Sequence, residues 1–286
     1  MKEGFVPVEG GKVWYKVVGA DHGIPLVVLH GGPGSAHDSL EILDVLGDER
    51  PVVFYDQLGS GNSERPEDRS LWHVDRFVQE LGQLRAVLGL GEIHLLGHSW
   101  GTMLAASYLL TNPAGVRSII FSSPCLSAPM WARDQARYLA DMPAVLREVI
   151  VRSEADGTTD SQEYKDATEA YYKRHLCRLD PLPELMQQGK KKSNSEIYNI
   201  MWGPSEFCAT GTLKDFDVTA ELPGLQLPAL FLCGQFDEAT PETTGFYQSL
   251  VPGSQFHVFE DSAHSAYQEE PAEYERIVRE FLRTVE

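Results

Sequence analysis

Nothing in the chain approaches the roughly 18 apolar residues that a membrane-spanning helix requires, and the opening Met1-Lys2-Glu3-Gly4 lacks the apolar core of a secretory signal. No membrane partner is expected, and the cytoplasm is the expected location. Cysteine is scarce: Cys125, Cys177, Cys208 and Cys233 stand far apart, with no Cys-x-x-Cys. Free thiols, mostly buried, are expected rather than a disulfide framework. The nine histidines form no pair at metal-ligand spacing, so neither a metal nor a cofactor is expected. Positive charge is also short, with 24 Lys and Arg against 42 Asp and Glu and a net charge of −18. Such a field repels phosphate backbones, so nucleic acid is not an expected partner. Repeats and low-complexity tracts are missing too.

What is there is an alternation. Lys12–Val18 follows a Gly10-Gly11 turn signal and reads as a hairpin strand. Leu26–Leu29, Val52–Tyr55, Ile93–Leu96 and Val116–Phe121 are short apolar runs of the kind buried in parallel sheets. Helical spacing lies between them, at Ser39–Leu46, Trp72–Leu88 and Thr102–Leu110. From about Leu126 to Asp215 strands are not expected. Helical segments at Ala132–Asp141, Glu163–Leu176 and Glu196–Met201 are separated by Pro143, Gly157, Pro181, Pro183 and Gly189. The alternation resumes with strands at Ala229–Cys233 and Phe256–Phe259 and helices at Thr243–Leu250 and from Pro271 to about Val285. This predicts an α/β fold with a mostly parallel central sheet and helices on both faces. Residues 1–125 and 216–286 would form the core domain and 126–215 an inserted helical cap. Lys190-Lys191-Lys192 reads as a solvated loop.

Gly97-His98-Ser99-Trp100-Gly101 matches G-x-S-x-G between a strand and a helix, the setting of a nucleophile elbow. Such a turn forces Ser99 into strained backbone geometry, and glycines two residues either side let strand and helix approach. A serine hydroxyl needs a base to take its proton. His264, after the last strand, is where that base should lie in the chain order Ser, acid, His. His175 falls in the cap, His257 inside a strand, and His98 is expected to point away. For the acid, Asp237 is preferred to its neighbour Glu238 and to Asp261, which reads as a turn residue. His30-Gly31-Gly32-Pro33-Gly34 directly follows a strand. There backbone N–H groups can face a developing oxyanion. Gly32, with Gly31 as the alternative, and Trp100 are the expected donors.

These motifs together resemble the proline iminopeptidase family of α/β-hydrolases, which includes tricorn interacting factor and related amino-acid amidases. The resemblance runs along nearly the whole chain. It is carried by residues 30–34, Asp56-Gln57-Leu58-Gly59-Ser60-Gly61, Gly97–Thr102, Met201-Trp202-Gly203-Pro204-Ser205-Glu206-Phe207, Gly234-Gln235-Phe236-Asp237-Glu238 and Ser262-Ala263-His264. It implies a serine exopeptidase releasing one N-terminal residue, proline or another small or apolar one, with Ser99, Asp237 and His264 as triad. It further implies that Glu206 and Glu238 bind the substrate's free amine. Two carboxylates converging on one pocket repel, so one of them should protonate readily without ligand. Cap aromatics near Trp202 and Phe207 fit either a substrate pocket or the cap's own core.

The expected partner is thus a small peptide or aminoacyl amide with a free N-terminus. An amidase acting on amino-acid amides or carrier-bound aminoacyl groups would use the same residues. A carboxylesterase or lactonase would need the triad but not the amine site. A non-catalytic binding protein would have no use for either.

Overall fold

The computed structural model describes residues 1–286. Eight strands form one sheet: β1 (Lys2–Val8), β2 (Gly11–Gly19), β3 (Leu26–Leu29), β4 (Pro51–Tyr55), β5 (Ile93–His98), β6 (Val116–Ser122), β7 (Ala229–Gly234) and β8 (Gln255–Phe259). Their order is β1-β2-β4-β3-β5-β6-β7-β8. The β1–β2 and β2–β4 pairings are antiparallel and every later pairing is parallel.

Strand side chains alternate between faces, and that period sorts the apolar runs into two cores. Val27, Leu29, Val53, Leu95, Phe121 and Phe231 enter one cluster. Leu26, Val28, Phe54, Leu96, Ile120 and Leu232 enter the other. The first is covered by α1 (Val74–Leu88), α2 (Trp100–Leu110) and α8 (Pro241–Leu250). The second is covered by the 3₁₀ segment His37–Asp48, the short α9 (Ala266–Glu269) and α10 (Pro271–Thr284). Both faces being covered explains why these strands are apolar throughout.

Between β6 and β7 the chain leaves the sheet for α3 (Ala128–Ala140), α4 (Ala144–Asp156), α5 (Gln162–His175), α6 (Glu184–Lys192) and α7 (Ser195–Met201). The stem of this excursion is pinned where it departs and returns. Ala128 N–H donates to Phe216 O at 2.8 Å, and Val218 N–H donates to Leu126 O at 3.0 Å. A separate small core of Met142, Val149, Ile150, Tyr164, Ala167 and Tyr171 holds α4 and α5 together.

Two of these helices depart from the sequence expectation. α4 and α6 each begin directly after a proline, Pro143 and Pro183, that reads in sequence as a break. Proline ends a helix that precedes it but is well tolerated at the start of one. The lysine run, expected in a loop, is the last turn of α6. Positive charge there complements the helix dipole.

Candidate active site

The three residues of the expected triad all follow the C-terminal ends of strands, where open α/β sheets place their ligands. Ser99 follows β5 with φ 56° and ψ −124°, a region that costs a non-glycine residue strain and that persists only when its surroundings enforce it. They do: Ser99 N–H donates to Ser122 O of β6 at 3.1 Å, and Ser99 O accepts from Thr102 N–H at 2.8 Å. A Cβ at Gly97 would collide with Gly101 O, and one at Gly101 with Leu29 O. The tightness of the elbow is therefore a steric requirement for glycine at both positions.

His264, after β8, is brought to Asp237, after β7. Nδ1 lies 2.7 Å from Asp237 Oδ1. The same carboxylate accepts the N–H of Ala239 at 2.7 Å and of Gly234 at 3.3 Å, and it is fully buried. These donors fix the orientation of Asp237, which favours the tautomer with the proton on Nδ1 and leaves Nε2 free to accept one. Asp261 lies in the turn after β8 and makes no such contact: its N–H donates to Glu270. Ser99 and His264 line one cavity of about 590 Å³. The Ser99 hydroxyl opens on that cavity rather than bonding to Nε2, and catalytic links of this kind commonly tighten only with substrate in place.

His98 does not point away as expected. Its ring packs 4.7 Å from that of His264 and 4.9 Å from Tyr267. Burial, then the neighbouring His264, pushes its pKa well below the ordinary histidine value. A neutral imidazole therefore backs that of His264.

The loop expected to carry the oxyanion donors is held by a residue that sequence reasoning assigned no task. Gln57 donates its amide to His30 O at 3.0 Å, and its Oε1 accepts the Trp100 indole N–H at 2.7 Å. Its backbone N–H donates to His30 Nε2 at 3.0 Å, and burial keeps His30 lowered and neutral. One buried amide thus ties the 30–34 loop to the start of α2. Gly32 adopts φ 114°, and the N–H groups of Gly31 and Gly32 have no backbone acceptor. They sit beside the N-terminal end of α2, where Trp100 N–H is the first of the helix.

Glu206 and Glu238 face the same cavity. Glu238 follows Asp237 and is buried, with Oε1 3.6 Å from His264 Nε2 and Oε2 without any hydrogen-bond partner. Burial first, then Glu206 and Asp237, raises its pKa well above the ordinary glutamate value. Burial raises Glu206 as well, but a hydrogen bond from Tyr198 opposes the shift. The Tyr198 hydroxyl donates to Glu206 Oε1. Burial thus disfavours charge on both carboxylates, and the Tyr198 hydroxyl offsets this at Glu206 alone. Tyr198 was not singled out by sequence; it lies eight residues before Glu206 and meets it only because α7 ends between them.

The cap aromatics divide between two tasks. Trp131 and Trp202, rings 6.0 Å apart, close a small recess beside Ser99, with Met103, Cys125, Leu213 and Glu206. Phe207 instead packs on Tyr171 in the cap core. The cap also grips the catalytic loops. His175 O accepts N–H from both Glu238, at 3.3 Å, and His264, at 3.1 Å. Gln135 donates to Glu238 O at 2.9 Å and Tyr138 to Asp237 O at 3.1 Å.

Away from this site His37, Asp38 and Asp56 come close enough to hold a metal ion, a cluster not apparent from sequence spacing. Asp56 Oδ1 accepts from His37 Nδ1 and the Lys192 ammonium lies 2.6 Å from Asp38 Oδ1, while Asp38 Oδ2 is buried without a hydrogen-bond partner. The cluster serves as a polar pin between the cap and the 3₁₀ segment.

The fold, the elbow and the strand-end placement define the class: the sequence matches the alpha/beta hydrolase fold family over residues 24–271. It is 53% identical to the proline iminopeptidase of Heyndrickxia coagulans over 99% of both chains. Two solved structures superimpose along nearly their full length. VinJ does so with TM-score 0.96 at 36% identity, covering 100% of this chain and 99% of that one. A proline iminopeptidase from Mycobacterium smegmatis does so with TM-score 0.91 at 34% identity, covering 99% and 98%. The chain belongs to the proline iminopeptidase family of α/β-hydrolases.

Proposed function

We propose that this serine-hydrolase aminopeptidase releases N-terminal proline, or a similarly small residue, from short peptides and aminoacyl amides. The observation that carries the reading is the buried, unpartnered Glu238 oxygen facing the same cavity as Glu206, Ser99 and His264. A buried carboxylate without a partner is costly, and a substrate ammonium is the group that satisfies it. In this reading the amine seats between Glu206 and Glu238, placing the scissile carbonyl over Ser99. His264 Nε2 takes the Ser99 proton as Oγ attacks, and the N–H groups of Gly32 (or Gly31) and Trp100 receive the oxyanion. The imidazolium then protonates the leaving amine, and water returns through the same base to release the acyl group. The residues named need no metal for any of these steps, so activity should persist in chelator. The reading places the protein in the cytoplasm, in keeping with four free thiols and with the lack of any helix long and apolar enough to cross a membrane.

The test is a panel of aminoacyl arylamides with the amine free or acetylated. A charge-assisted hydrogen bond contributes about 1.5–3 kcal/mol. Acetylation should therefore lower kcat/KM at least about tenfold, and Glu206→Gln should erase most of that difference. Equal turnover of both forms would favour an esterase that makes no use of the amine.

A further inference from the structure

With the amine and carbonyl placed, the rest of a substrate has few places to go. In that reading the side chain of the first residue turns into the recess beside Ser99 and Glu206 that Trp131 and Trp202 close, whose free volume is about 10 Å³. That is on the order of one water, so a compact ring or methyl fits by modest adjustment and a long side chain does not. Everything beyond the scissile bond must occupy the large cavity, about 590 Å³. One wall of this cavity is unusual. Leu176, Leu179, Leu182 and Met186 line it, yet none of them joins any of the three apolar cores. Leu179 is 38% exposed. They lie after α5 and on or just before α6, the elements whose proline and lysine features sequence reasoning left without a purpose. At the mouth, Glu169 and Asp180 are matched by Lys173 and Lys190, so no sign of charge is selected there.

We infer that this wall is a binding site for the leaving group, and that it selects bulky amines with an apolar flank, two or more residues in length or an equally large non-peptide amine. Selectivity is then lopsided: strict in size for the first residue, and rising with apolar bulk after it. The inference rests on the aminopeptidase reading above and on the continuity of this wall with the Ser99 cavity. Contacts of this kind, if realised in the transition state, raise kcat/KM.

The experiment compares prolinamide, Pro-Gly-amide, Pro-Leu-Leu-amide and prolyl-octylamide on the purified protein, alone and with Leu179→Asp and Leu182→Asp. The expected result is a rise in kcat/KM of about tenfold or more from prolinamide to the long apolar substrates. Each aspartate variant should compress that ratio, which is read within one preparation and so is insensitive to partial loss of folded protein. A rise in both long arms means that apolar contact alone suffices. A rise with the peptide only identifies peptides as the source while keeping the apolar site. Prolinamide turnover with a flat series, or a ratio unmoved in both variants, overturns the inference. No turnover of any prolyl substrate would instead overturn the proline-releasing reading itself.

Discussion

Ser99 occupies a strained elbow that its neighbours enforce, so in the proposed reading its replacement removes the nucleophile without removing the scaffold. Ser99→Ala should lower kcat at least about 10⁴-fold while unfolding stability stays within about 0.5 kcal/mol; substantial residual turnover would refute the assignment. Tyr198 donates its hydroxyl to Glu206, and in the proposed reading it positions that carboxylate. Without its hydroxyl the Glu206 carboxyl moves further toward neutrality, since that hydrogen bond is what opposes burial. Tyr198→Phe should therefore raise KM for free-amine substrates with kcat little changed, and the acidic limb of the kcat/KM profile should move to higher pH. A purely structural role would leave that limb in place. Glu238 gives a stability prediction whose sign follows from its raised pKa. Below the ordinary glutamate value of 4.5 the group is protonated in both folded and unfolded chains, and its burial is harmless. As pH rises, the unfolded chain ionises freely while the folded one resists, so stability is lost. Glu238→Gln keeps the neutral form at all pH. Its denaturation midpoint should match the parent near pH 4 and exceed it increasingly toward neutrality, even as turnover of free amines falls. Residue types and spacing sufficed to single out Ser99, His264 and Asp237, which the fold brings to one cavity wall and one hydrogen-bonded pair. Gln57 and Tyr198 escaped because their meaning lies in partners: Gln57 meets Trp100 43 positions away.

Among the elements, β5 and α2 meet at a separation that only hydrogen side chains permit. Gly101→Ala would drive a methyl into Leu29 O, a backbone atom of the adjoining β3 that cannot step aside. The expected outcome is a loss of 3 kcal/mol or more, as for the severe class of buried steric insertions (about 1–3 kcal/mol or beyond), seen as a lowered urea midpoint. An unchanged midpoint would mean that strand and helix can part. The strands were legible because burial on both faces leaves apolar runs between turn residues, and α10 because its buried Tyr274, Val278, Phe281 and Leu282 recur at helical spacing. The cap was harder. α4 buries only Val149, Ile150 and Ser153, too few to impress a period on the sequence, and α6 buries only Gly189. α4 packs only within the small cap core and α6 lines the cavity, so neither carries a long buried face to advertise it.

For the molecule as a whole, a charge of −18 makes the compact state repel itself. Added salt screens that repulsion within about 10 Å at 0.1 M, so the melting temperature should rise between about 20 and 200 mM NaCl; a fall would show that surface ion pairs outweigh the repulsion. Charge sign and composition, legible at a glance, reach this scale but not the geometry of the cap upon the sheet. That geometry is settled largely by main-chain groups, which every sequence possesses alike. The His175 carbonyl is the clearest case, because it receives the amides that precede the side chains of both Glu238 and His264. Transplanting a foreign lid onto this scaffold to alter its diet would therefore also unmoor His264 and Glu238. A chimera keeps its turnover only if the donor loop offers an oxygen at that same point in space.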